Sequence, residues 1–239
     1  MYRKLLLSII LIPSYYFAFA QKEISRQHLL WTRYDLNISF TPKWSIQQEL
    51  EERSYFFPWK QHQFIARTNL HFKFIPNWTS SLGFSYFLQS SPQDPFIKEI
   101  DNKVELRPQI GLSNNFQLND KLSLQNRYWS EFRIFEESKG HFAYGNVRLR
   151  YQIKLNYQVL KKLQLGVFNE VHINIGKKII YNVFDQNRIG ALINYNPIKN
   201  LGIELAYFNW YQQRASGYQF YSRHILRISI HHNISLIKK

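Results

Sequence analysis

No cysteine occurs in the chain. Disulfides and thiolate metal sites are therefore excluded, and an exported fold of this composition is held by pairing and packing alone. Acidic side chains are scarce, with 16 Asp and Glu against 31 Lys and Arg. Beyond the first twenty residues no apolar run approaches the roughly 20 residues of a membrane-spanning helix, and no stretch shows helical periodicity. No Gly/Ser-rich linker or composition shift divides the chain. No Gly-x-Ser-x-Gly elbow is present, although a Ser–His–acid site assembled from separate strands would leave no local motif. The mean hydropathy is negative, which ordinarily indicates a soluble protein. A membrane barrel escapes such averages because only every second residue meets lipid.

What is present begins with a leader. Arg3 and Lys4 precede an apolar stretch from Leu5 to Phe19 that ends in Ala18-Phe19-Ala20. That order is the pattern of a cleavable signal peptide over residues 1–20. Pro13 and the shortness of the apolar core argue against an N-terminal anchor, and without a following Cys a lipoprotein is excluded. Residues 21–239 then form a single domain with 29 basic and 16 acidic side chains, a net charge of +13.

Alternation dominates after Gln21. In 30–40 the even positions are Leu30, Thr32, Tyr34, Leu36, Ile38 and Phe40, and the odd ones are Trp31, Arg33, Asp35, Asn37 and Ser39. The same period of two runs through 64–74 and 147–155, and it marks strands with one apolar and one polar face. Similar runs lie near 44–54, 78–88, 104–116, 122–134, 163–173, 186–195, 201–212 and 223–235, giving eleven in all. Their length suits tilted membrane strands of about 9–11 residues better than the roughly five or six of soluble sheets.

A short phrase recurs at Lys43-Trp44, Asn77-Trp78, Lys121-Leu122, Lys162-Leu163 and Asn200-Leu201, with copies 34, 44, 41 and 38 residues apart. That spacing suits one hairpin with its loop. Short turns containing 41–42, 76–77, 119–120, 160–161 and 196–197 lead into the phrase. Longer connections are expected near 56–62, 89–103, 136–143, 175–184 and 214–221. The asymmetry is that of an outer-membrane barrel with short periplasmic turns and longer extracellular loops. Phe40, Trp44, Phe74 and Trp78, with Phe116, would form an aromatic girdle beside the short turns. Phe132, Phe135, Tyr207, Tyr211 and Tyr221 approach the long loops. Eleven strands sit badly with an antiparallel barrel, which closes on an even number. Either a twelfth strand lies partly in 21–29, or one of the eleven is not a wall strand.

The polar face carries the candidate site. It contains Glu49, Glu51, Arg53, Glu105, Arg107, Arg127, Glu131, Arg133, Arg148, Arg150, Glu170, Arg188, Glu204, Arg223 and Arg227. In a narrow interior such charges must pair, so Glu–Arg bridges across strands are expected. They would either plug a small barrel or line a pore, and the surplus of Arg would then favour anions. Glu170 and His172 share a face and are the weak catalytic candidates, His172 as a base oriented by Glu170. His231 and His232 point to opposite faces and cannot chelate together, so no metal and no cofactor are expected. Arg spread along alternating strand positions does not make the clustered basic face of a nucleic-acid binder.

The runs Glu105-Leu-Arg-Pro-Gln109, Arg127-Tyr-Trp-Ser-Glu131-Phe-Arg133, Asn169-Glu170 and Asp185-Gln-Asn-Arg-Ile-Gly190 resemble the exported barrel family known as domain of unknown function 2490. The resemblance covers most of the mature chain. It implies an outer-membrane β-barrel of a Gram-negative bacterium, with no activity to carry over. The expectation is an all-β, antiparallel up-and-down transmembrane β-barrel of about 10–12 strands, either structural or a narrow pore that prefers anions. Its partners would be outer-membrane lipids and, during biogenesis, the barrel-insertion machinery. Two alternatives stand beside it: an outer-membrane enzyme acting on lipid or envelope substrates, and a soluble periplasmic β-barrel binding a hydrophobic ligand.

Overall fold

The computed structural model describes residues 22–237, so the expected leader lies outside the described residues. Eleven strands form one closed barrel. In chain order they are β1 (Glu23–Ser39), β2 (Trp44–Tyr55), β3 (Lys60–Ile75), β4 (Trp78–Ser91), β5 (Asp101–Gln117) and β6 (Leu122–Ser138). They continue as β7 (His141–Leu160), β8 (Leu163–Ile175), β9 (Phe184–Ile198), β10 (Leu201–Gln213) and β11 (Gln219–Ser235).

Each strand pairs antiparallel with its sequence neighbours, and the ring closes where β1 meets β11 in parallel. This resolves the parity problem differently from either expectation. Residues 23–29 are the first part of β1 rather than a twelfth strand, and all eleven strands belong to the wall. An odd number of up-and-down strands leaves the first and last running the same way, so the closing seam must be parallel. Its register runs unbroken from Glu23↔Gln219 to Ser39↔Ser235.

The turns also differ in detail. Asn77 adopts a φ of 66° in the tight β3–β4 turn, a left-handed conformation that Asn tolerates better than most residues. Asn196-Pro197 lies inside β9, and the turn falls instead between Ile198 and Leu201. The expected long loop at 136–143 is a two-residue turn, Lys139-Gly140, with Gly140 at a φ of 76°. Strands β6 and β7 therefore run on past the apolar band. The longer connections are 92–100 and 176–183.

Alternation sorts the two faces as the period of two requires. Outside lie Leu50, Leu70, Leu82, Phe84, Ile110, Leu149, Ile153, Val167, Ile189, Ile193, Leu205, Ile228 and Ile230, all exposed. Phe40, Trp44, Phe74 and Phe116 are exposed at the short-turn end. Trp44 packs on Phe72 at a centroid distance of 4.4 Å, and Trp78 meets the edge of Phe116 at 6.3 Å. Tyr221 departs from expectation, because it is buried inside the barrel rather than at its rim.

An arginine-lined interior as the candidate functional site

Inward positions of β5 to β9 hold a continuous chain of ion pairs. Glu105 accepts from Arg107 Nε at 2.6 Å and Arg133 Nε at 2.5 Å. Arg107 reaches on to Glu131 at 3.3 Å, and Arg150 bridges Glu131 at 2.5 Å and Glu170 at 2.7 Å. Glu170 also accepts from Arg127 at 2.9 Å and lies 3.7 Å from Arg188. Arg148 stands between Glu131 at 3.9 Å and Asp185 at 3.0 Å. The register explains the reach, because Glu131 sits beside Arg148 and Glu170 beside Arg188 on adjacent strands.

A second group joins β1, β2, β3, β10 and β11. Glu49 pairs with Arg67 at 2.8 Å and Arg33 at 3.6 Å, while Glu204 pairs with Arg227 at 2.8 Å and Arg33 at 3.4 Å. His231 lies 3.2 Å from Asp35 inside the barrel, and His232 meets Tyr34 on the outer face at 3.0 Å. Arg53 bonds Glu51 at 2.6 Å, and its Cζ lies over the Trp31 ring at 3.6 Å. Arg223 is the exception to Glu–Arg pairing: its acceptors are Gln27, Gln212 and Gln93. Every charged position named from the sequence faces inward, and all except Arg223 make an ion pair.

Between these groups lies an interior cavity of about 260 Å³, room for on the order of ten waters. Ten Arg and Lys154 line it against Asp35, Glu49, Glu51, Glu170 and Glu204. Lys154 makes no ion pair among the described residues. The lining is polar and carries more cations than carboxylates, while Glu105, Glu131 and Asp185, which do not line it, pair with Arg107, Arg133, Arg148 and Arg150.

His172 Nε2 lies 3.3 Å from Glu170, and both are buried. Three arginines already surround that carboxylate. The side chains lining the cavity include no Ser, Thr, Tyr or Cys among the described residues. The Glu170–His172 pair is thus placed within the charge network, with no hydroxyl or thiol nucleophile beside it.

One interior feature escaped the sequence reading. Leu29, Trp31, Tyr55, Phe168, Leu192, Ala206, Phe208, Trp210 and Ile225 form an apolar cluster inside the barrel. Trp31 meets Phe208 and Trp210 edge to face at 5.1 and 5.6 Å. On β10 both faces are apolar, with Ile203, Leu205 and Tyr207 outside and Ala206, Phe208 and Trp210 inside. The available signal was the large aromatic residues on the parity of Arg and Glu.

No curated protein matches the chain. Among solved structures it is similar to the NanC porin in a rhombohedral crystal form, at 12% identity and a TM-score of 0.47, over 79% of this chain and 85% of that one. The model of the family described as Protein of unknown function (DUF2490) matches residues 29–221, and the chain belongs to that family.

Proposed function

We propose that the chain is an integral outer-membrane barrel that works as a narrow, anion-preferring pore. The observation that carries this reading is the interior cavity, where eleven cationic side chains face five acidic ones. Rings of Arg and Lys are the chemistry that favours anions in a water-filled passage. The outer wall supports the location. On β1 the outward band from Leu30 to Ile38 follows the polar Arg26 and His28 and ends beside Phe40 at the short turn, about the length that a tilted strand needs to cross a bilayer. The short turns would face the periplasm, where Lys43, Lys121, Lys161, Lys162 and Lys199 can meet anionic headgroups.

Eleven strands place the barrel between two regimes. Barrels of about eight strands are filled by their own side chains, and those of 16–18 leave a wide channel. Here the side chains fill the wall nearest the seam and leave the cationic cavity between the ion-paired walls. The test is a planar bilayer under a KCl gradient. The reversal potential should lie toward the chloride equilibrium potential. No conductance, or a preference for potassium, would overturn the reading. Recovery of the unboiled protein in the aqueous phase without detergent would overturn the membrane location.

A further inference from the structure

Arg223 is fully buried and, among the described residues, makes no ion pair. Its guanidinium donates to three neutral amide oxygens: Nε to Gln27 Oε1 at 2.7 Å, Nη1 to Gln212 Oε1 at 2.6 Å and Nη2 to Gln93 Oε1 at 2.7 Å. The Trp210 and Tyr221 rings lie 4.3 and 4.0 Å from its Cζ. Stacking and amide bonds hold the cation, but they compensate a buried charge less well than an anion would.

Gln93 belongs to the loop 92–100 between β4 and β5. Its backbone carbonyl also accepts from Gln27 Nε2 at 2.9 Å, so one loop residue is tied to β1 and β11 at once. Around the ring, β3, β2 and β1 separate β4 from β11. The loop therefore crosses part of the barrel mouth at the long-loop end. Lys60 holds it again through the Ile97 carbonyl. Gln93 itself lines the cavity, as do Arg53 and Trp210.

We propose that Gln93 occupies a carboxylate-binding site centred on Arg223, and that an entering carboxylate displaces its amide and releases the loop. The proposal deepens the pore reading, on which its consequence for conduction rests; the displacement itself needs no current. An amide carbonyl offers Arg223 one neutral oxygen. A carboxylate offers a negative charge and a second oxygen, which fit the Nη1–Nη2 edge as a fork. Arg53 and Arg188, whose Cζ atoms lie 3.6 and 5.4 Å from the Trp31 ring, add positive potential at the same end, which raises the local anion concentration.

The absence of cysteine makes a single-label test clean. Lys98→Cys, at an exposed loop position, carries a nitroxide whose mobility reports the loop. Acetate should mobilise the label, and chloride at equal ionic strength should not. With Gln93→Gly the label should be mobile without acetate, and with Arg223→Gln acetate should have no further effect. In bilayers Gln93→Gly should raise the open-to-closed ratio about 10-fold or more, the factor expected for one lost hydrogen bond to a charged group. A label that ignores acetate, or answers chloride equally, overturns the carboxylate site. If acetate frees the label while bilayers carry no current, the latch stands and the pore reading fails. If current flows but Gln93→Gly changes neither label nor conductance, the latch fails and the pore reading stands.

Discussion

Glu131→Gln removes one negative charge from the middle of the interior ion-pair chain while keeping nearly the same shape. The Glu131 side chain has no solvent exposure and lies 2.5 Å from Arg150, 3.3 Å from Arg107 and 3.9 Å from Arg148. A unit-charge pair about 4 Å apart is worth about 4 kcal/mol at an effective dielectric near 20, and breaking a buried pair costs about 3–5 kcal/mol. Each guanidinium keeps a second carboxylate: Glu170 for Arg150, Glu105 for Arg107 and Asp185 for Arg148. The expected loss therefore sits at the low end, about 3 kcal/mol. The contrast is Asp101→Asn, whose pair with Lys103 is largely exposed and should cost less than about 1 kcal/mol. Urea unfolding in lipid vesicles, followed by tryptophan fluorescence, reads both as midpoint shifts at constant slope. A loss below about 1 kcal/mol for Glu131→Gln would mean that water screens the whole network, and would refute the exclusion of solvent from Glu131.

Lys154 lines the cavity and makes no ion pair among the described residues, so Lys154→Glu should move the reversal potential toward potassium with little change in unfolding midpoint. An unchanged reversal potential would remove Lys154 from the anion path. The parallel seam is tested by disulfides in this cysteine-free chain. Leu30→Cys with Leu226→Cys joins register partners and should oxidise to a band of altered gel mobility. Leu30→Cys with Ile234→Cys places the partner eight residues along β11, roughly 26 Å away, and should not. Equal cross-linking of both pairs would rule out the seam.

The wall was legible because its signal is periodic: at Leu30 to Phe40 and Phe64 to Phe74 every second residue except Thr32 and Thr68 is apolar. The inward placement of Arg and Glu followed from the same parity. Besides the interior apolar cluster, three things did not. The seam depends on which ends of the chain meet, and Glu23 to Leu29 carries too many polar outward residues for the apolar period to reveal it as strand. The β6–β7 extension beyond the apolar band rises in the same way through Glu136 and Glu137, polar residues that read as loop. The pairing of Arg223 with glutamines depends on Gln93, a residue brought to β11 by tertiary structure and far from it in sequence.

The apolar cluster and the seam belong to one arrangement. Parallel pairing is slightly weaker per residue than antiparallel, and the seam has only side-chain packing and its own ladder to close the ring. Leu29 and Trp31 of β1 and Ile225 of β11 stand directly behind it, backed by Phe208 and Trp210 of β10. Burying such side chains is worth about 1.5–3 kcal/mol each, which offsets the weaker ladder where the ring must close. The consequence for passage is an asymmetric interior. At the long-loop end the seam wall is apolar, with guanidiniums stacked on its indoles, and the wall from β5 to β9 carries the ion-pair chain. On the pore reading proposed above, an anion that displaces Gln93 would meet Arg223, which has no carboxylate partner among the described residues, before Arg53, which Glu51 already pairs, so stacking on Trp210 and Tyr221 sets where the first unpaired cationic contact is made.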